Sequence, residues 1–387
     1  MSGTPLRKKC SIMAQTLTDM IDSEGKFVIR TDMAHRITKA YTDLSNSAQV
    51  ARDDSIKELD TVMEKIVFLS VFTPQIPELK HFAVDIFTNL RSLELDMCPP
   101  STVLGLYNAR SSLETLKISN SGIPDIFSSF APFQRKMLRR LSPMIFPDSV
   151  CAIPTKFLWS NLLVLQLSNC GISKLDESFH FFPRIEYLNL SHNDIAHVIH
   201  LQDCIDLKFL NLSHNRIRVL SNLERVLGSV ERINLAHNRI ESLDGIDRIY
   251  SLERLDVAHN SINDFAEITH LCKLPNIDMI RLKGNPIAAM QHYRLKIFAE
   301  MIGEGTIMQG DRSLPVLDWK PMSSKERRFF RRVMFRTTTH SEATFSHFDA
   351  AFFEEEDDQD QYEGAGDMYD DDDHDGEGGG GGGDTSR

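Results

Sequence analysis

No apolar run in the 387-residue chain approaches the ~18 residues that a membrane-spanning helix needs. The N-terminus, MSGTPLRKKCSIMAQTLTDM, has basic residues but no apolar stretch behind them, so no secretory signal is expected. The six cysteines (Cys10, Cys98, Cys151, Cys170, Cys204 and Cys272) lack the CxxC spacing of zinc or redox sites. Reduced thiols of a cytoplasmic protein are the expectation, with the nucleus as the alternative. Phosphate-cradling glycine loops are missing too. Gly364-Ala365-Gly366 follows no strand, and Gly303-Glu304-Gly305 lacks the rest of any fingerprint. Neither GxSxG nor HExxH occurs. The chain reads as a non-enzyme with no cofactor, no metal and no small-molecule substrate.

A basic excess is absent as well. The formal net charge is −12, but Glu354 to Arg387 hold 15 Asp/Glu against one Arg, a net of −14. Taking −14 from −12 leaves the body, residues 1–353, at +2. That near-neutral body argues against a dedicated nucleic-acid binder. The basic residues Lys320, Lys325, Arg327, Arg328, Arg331, Arg332 and Arg336 read as a solvated helix face or as a dock for the acidic tail.

What the chain does have is a period. LNLSHN ends at Asn193 and again at Asn215, INLAHN at Asn238, LDVAHN at Asn260 and IRLKGN at Asn285. The asparagines fall 22, 23, 22 and 25 residues apart, each followed two places on by Ile. This is the LxxLxLxxNxI frame of a leucine-rich repeat. Alternating apolar residues within LxxLxL send one face of a short strand inward and the other to solvent. The Asn amide is expected to bond backbone groups that the turn leaves unpaired, which makes Asn193, Asn215, Asn238, Asn260 and Asn285 a structural column. One repeat cannot bury its apolar face alone, so the repeats must stack on a parallel sheet.

Earlier repeats use Cys98, Ser121 and Cys170 at the Asn position, for about eight repeats in all. The expected fold class is α/β: a leucine-rich-repeat solenoid with helical caps. Residues 1–80 read as a helical N-terminal cap, with helices over Ala34–Asp43 and Ser55–Phe72 and a short extended piece at Phe27–Ile29. Residues 81–290 carry the repeats, with an insertion near 127–160 that holds the basic run Gln134–Arg140. Residues 291–337 read as a C-terminal cap, where Ser323 and Glu326 form a capping box. Residues 338–387, acidic and then glycine-rich, read as a disordered tail. Phe345, Phe348, Phe352 and Phe353 would share one helical face there.

Binding chemistry is expected on the solvent side of the strands, the concave face. There the frame places Tyr187 and Asn189, Phe209 and Asn211, Arg232 and Asn234, Arg254 and Asp256, and Arg281 on successive rungs. Tyr187 beside Phe209, with Arg232 and Arg254 following, are residue types enriched at interface hot spots. The recurring His192, His214, His237 and His259 would stack at an exposed turn. They are read as turn residues rather than as a metal ladder.

The runs SIMAQTLTDMIDSEGKFVIR, FTNLRSLELDMCP and LGLYNARSSLETLKIS, with the NLLVLQLS and YLNLSHN strands, resemble the amino-terminal half of the serine/threonine-kinase-11-interacting protein family. Nischarin-type proteins are a related alternative. The resemblance covers roughly residues 11–318. It implies a cytoplasmic scaffold associated with a signalling kinase and with endosomal or lysosomal membranes. The resemblance does not extend to the family's C-terminal half, with its pleckstrin-homology-like modules, and no family site residues carry over. The functional expectation is a non-catalytic protein-interaction scaffold in kinase signalling. One alternative is a regulatory subunit that docks a phosphatase or an RNA-binding domain. The other is a nuclear, acidic-tailed histone-binding protein.

Overall fold

The computed structural model describes residues 5–51, 56–73, 80–123, 126–130, 157–220, 223–303 and 314–329. Its strands, in chain order, are β1 (Lys26–Arg30), β2 (Phe68–Phe72), β3 (Phe82–Ala83), β4 (Ser92–Asp96), β5 (Val103–Leu104), β6 (Thr115–Ser119) and β7 (Val164–Ser168). They continue with β8 (Tyr187–Asn189), β9 (Phe209–Asn211), β10 (Arg232–Asn234), β11 (Arg254–Asp256), β12 (Met279–Arg281) and β13 (Val316–Leu317). β3 and β5 pair with each other. The other eleven form one sheet in the order β1-β2-β4-β6-β7-β8-β9-β10-β11-β12-β13, which is the order of the chain. Every pairing along it is parallel and in step, as in Tyr187↔Phe209, Phe209↔Arg232 and Arg232↔Arg254. The chain is a leucine-rich-repeat solenoid.

The frame leucines make the core. Leu188, Leu190, Leu210, Leu212, Leu235, Leu252 and Leu282 are all fully buried, as are the Ile195, Ile217, Ile240, Ile262 and Ile287 that follow each Asn. Burying one such side chain is worth about 1.5–3 kcal/mol. Because each rung covers the apolar face of the one before it, the gain accumulates along the stack. Where the step to β7 is long, aromatics thicken the core. Phe130, Trp159 and Phe182 pack with ring centroids 5.8–6.0 Å apart.

The N-terminal segment holds more strand than the helical cap with one short extended piece that its sequence suggests. Helices α1 (Pro5–Thr18), α2 (Thr31–Ala51) and α3 (Lys57–Met63) are present. The helix expected over Ser55–Phe72, however, ends at Met63, and Phe68–Phe72 is a strand. FLSVF alternates, with Leu69 and Val71 fully buried, which suits a half-buried strand and not a helix face. β1 alternates in the same way and pairs with β2. The parallel sheet therefore begins at Lys26, ahead of the first repeat legible by its motif. Gly25 makes this possible: its φ is +77°, and a Cβ there would sit 2.5 Å from the Lys65 carbonyl oxygen.

At the other end, Arg294 on the helix Tyr293–Gly303 organises the close of the stack. Its guanidinium donates to the carbonyls of Leu317 (2.7 Å), Lys320 (3.1 Å) and Pro321 (3.2 Å) and to Glu326 Oε1 (2.9 Å). Glu326 also accepts from Ser323 N at 2.6 Å, while Glu326 N donates to Ser323 Oγ at 3.2 Å. The basic run Gln134–Arg140, the cap helix beyond Phe329 and the tail from 338 with its phenylalanines lie outside the described residues. No helix among the described residues is long and apolar enough to cross a membrane.

Candidate functional site

Parallel register aligns the solvent-side positions of β7 to β12 into two rows. The first runs Val164, Tyr187, Phe209, Arg232, Arg254, Met279 and reaches Val316 on β13. Tyr187 and Phe209 stack with centroids 4.5 Å apart and planes 5° from parallel. Neighbouring strands lie ~4.7–4.9 Å apart, so the backbone itself presents the rings at stacking distance. Both are half-buried. Arg232 and Arg254 are exposed on the next two rungs. Arg254 Nε stands 3.8 Å from Asp278 Oδ1. Arg232 has no ion-pair partner among the described residues. Glu231 and Glu253 edge the row immediately before β10 and β11.

The second row is Gln166, Asn189, Asn211, Asn234, Asp256 and Arg281. Here the structure shows a turn role for part of the expected binding set. Each of Asn189, Asn211, Asn234 and Asp256 turns its Oδ1 to accept from the backbone N–H two residues on, at 2.9–3.0 Å. Asn189 is buried. This row shapes the turn that ends each strand. Asp256 and Arg281 also pair at 2.5 Å, and Arg281 lies over the Trp319 ring at 5.1 Å. Burial lifts the Asp256 carboxyl above its ordinary range, although the Ala258 N–H and Arg281 act against that rise.

The asparagine column lies beneath the turn and faces inward. Asn215 donates from Nδ2 to the carbonyls of Leu190 (3.0 Å), Leu212 (3.0 Å) and Ser213 (3.1 Å). Its Oδ1 accepts from Ile195 N at 3.0 Å. Asn238 and Asn260 repeat this pattern, and Asn285 keeps two of the three carbonyls. Asn193 goes further, accepting from both Cys170 N and Ile172 N at 3.0 Å. Each Asn thus ties its own turn to the preceding repeat.

The residue before each position of this column, whether Asn or the earlier Cys98, Ser121 and Cys170, is left-handed. Met97, Asn120, Asn169, His192, His214, His237 and His259 have φ between 51° and 56°, and Gly284 closes the series at 81°. Asn and His are among the non-glycine residues that tolerate this region best, which accounts for the histidine column. The four imidazoles stack at 4.1, 4.2 and 4.3 Å with planes about 10° apart. A ring nitrogen binds metal in the plane of its ring, so parallel rings direct their lone pairs side by side. Two zinc–nitrogen bonds of ~2.0–2.1 Å could join such a pair only by tilting the rings. Burial and the neighbouring His259 lower the pKa of His237.

Some strand-face residues have no frame to announce them. Lys26, Val28 and Arg30 on β1 and Phe68 and Phe72 on β2 extend the same face, and Lys26 Nζ lies 4.9 Å from the Phe68 ring centroid. Trp319, 58% exposed, stands just beyond the last rung. The period-two alternation of KFVIR and FLSVF was the available signal for the first group.

No family model matches the chain. Among solved structures it is similar to an internalin of Listeria monocytogenes, with 15% identity over 62% of this chain and 60% of that one and a TM-score of 0.41. It is similar also to internalin C2 of the same species (18% identity, 60% of this chain, 80% of that one, TM-score 0.34). A leucine-rich-repeat protein of Leptospira interrogans matches at 18% identity over 63% of this chain and 61% of that one, with a TM-score of 0.39. The chain spans about three fifths of the length of the first internalin and of the Leptospira protein.

Proposed function

We propose that the chain is a non-catalytic protein-interaction scaffold that holds a protein partner against its strand face, centred on Tyr187, Phe209, Arg232 and Arg254. The observation that supports this reading is the stacked Tyr187–Phe209 pair, in register with an arginine that has no ion-pair partner among the described residues. Aromatics and arginines dominate interface energetics because they bring large area and forked donors at modest entropic cost. The register adds order, since the backbone holds each of the four residues one strand spacing from the next. Asn211, Asn234, Asp256 and Arg281 would then flank the contact as a polar rim. A finer reading rests on the resemblance described above: the partner belongs to serine/threonine-kinase signalling in the cytoplasm. A phosphatase, an RNA-binding domain, or histones in the nucleus would be the alternative partners.

Affinity purification with the full chain, with Tyr187→Ala/Phe209→Ala and with a version ending at Phe353 tests this reading. A partner that is lost with the aromatic pair and kept without the tail supports it. Once that partner is in hand, each single alanine change should weaken binding by at least ~1 kcal/mol if the residue is a central anchor. Unchanged binding for all four residues would refute the strand-face site. Histones recovered only with the tail present would favour the nuclear alternative.

A further inference from the structure

Away from the strand face, two successive repeats bring together side chains that neither the core nor the proposed interface uses. Asp244 and Asp247 lie in a turn that Gly245 permits with φ +97°. His270 lies on the short helix Ile268–Cys272 of the following repeat. One ligand atom from each of Asp244, Asp247 and His270 falls within 4.8 Å of the others. These atoms are close, yet the imidazole bonds none of its acidic neighbours. His270 Nδ1 stands 4.0 Å from Asp247 Oδ2, and Nε2 stands 3.9 Å from Glu267 Oε2. Both distances exceed hydrogen-bond reach. Glu267 Oε2 is already engaged, accepting from Ser242 Oγ and Leu243 N at 2.7 Å each. His270 Nδ1 is shut off from solvent and has no hydrogen-bond partner among the described residues.

A shielded ring nitrogen facing a carboxylate from slightly too far away is the arrangement that an intervening cation would complete. Zinc binds imidazole nitrogen at ~2.0–2.1 Å and carboxylate oxygen at ~2.0–2.2 Å, so two such bonds end to end span ~4.0–4.3 Å. Small side-chain rotations would then bend the pair toward tetrahedral geometry and admit Asp244, which is exposed. We propose that Asp244, Asp247 and His270 form a binding site for one divalent transition-metal cation of the zinc type, which ties two successive repeats together. One nitrogen and two oxygens leave a fourth position for water, as in open zinc sites. Lys273 is the competitor: its Nζ lies 3.1 Å from Asp247 Oδ2, and its side chain is 56% exposed, so it can swing into solvent when a metal arrives.

Without a metal, Lys273 would be what balances these carboxylates. The two arrangements make opposite predictions for Lys273. The full chain, stripped with chelator, is titrated with Zn²⁺ by calorimetry, and with Co²⁺ for its visible ligand-field bands. One equivalent of zinc should bind and raise the melting temperature. His270→Gln should weaken zinc by more than the about 10–100-fold that loss of an outer-sphere partner costs, and Asp244→Asn, at an exposed position, should weaken it too. Lys273→Met should tighten it. Circular dichroism verifies that each variant is folded. The site is overturned if folded wild type takes up no zinc, if uptake is the same in wild type, Asp244→Asn and His270→Gln, or if Lys273→Met fails to tighten binding.

Discussion

Replacing Asn215 with alanine removes four hydrogen bonds, but they are not equal losses. The Leu190 carbonyl keeps the Asn193 amide at 2.9 Å, and the Leu212 carbonyl keeps the Asn238 amide at 2.9 Å. The Ser213 carbonyl keeps the His192 N–H at 3.0 Å. Only the Ile195 N–H, whose acceptor is Asn215 Oδ1, is left with nothing. An orphaned buried donor costs about 1–3 kcal/mol, so Asn215→Ala should destabilise by that amount. Asn193→Ala orphans two donors, Cys170 N and Ile172 N, and should cost about twice as much. Urea unfolding of the two variants, compared at equal slope, measures the ordering. Equal losses, or an Asn215→Ala indistinguishable from wild type, would refute the orphan count.

Other outcomes follow from the turn column and the cap. His237 has its pKa lowered by burial and by His259, and His180 by burial and by His200. Their unfolded forms therefore take up protons first: this stability is fully present above about pH 6.5 and is lost as pH falls through the lowered folded values. His237→Asn, which keeps a residue tolerant of left-handed backbone, should flatten that slope in melts taken from pH 7 to 5. Gly284→Ala places a Cβ 2.4 Å from His259 Nδ1 at φ +81°, so it should cost at least about 1–2 kcal/mol in a thermal melt. Combining it with His259→Gly, which removes the ring and tolerates the left-handed backbone at that position, should recover the steric part and leave the backbone part at residue 284. Arg294→Ala strips the last turn of its shared donor and should cost about 1.5–3 kcal/mol, with faster amide exchange at Leu317.

Much of this was legible in the sequence because the frame ties chemistry to position. LxxLxLxxN fixes which leucines are inside and which residues share a rung, so Tyr187 could be placed beside Phe209 before any coordinates. The frame is silent where its Asn is absent. β1 and β2 carry no such residue, so their place in the sheet rested on short alternations that also fit a helix edge. The turn role of the second-row asparagines stayed hidden for another reason. A solvent-side position does not say where a side chain's oxygen goes, and a nearby unpaired N–H captures it. The histidines read as turn residues in the sequence, and their backbone φ supplies the physical reason for the choice. Asp244, Asp247 and His270 were invisible because they lie outside the frame, and only the stacking of repeats brings them together.

The in-step register also has a mechanical consequence. From β8 to β12 every rung is held by the same kind of ladder and by an asparagine tie to its neighbour, and no strand crosses to a distant one. Tension on the two ends of this block would therefore meet a series of similar latches instead of one concerted barrier. Each latch that opens would release a repeat of about 22 residues, or about 75 Å of extended chain. A pulled molecule should lengthen in regular steps of that size, and the aromatic–arginine row would be taken apart one side chain at a time.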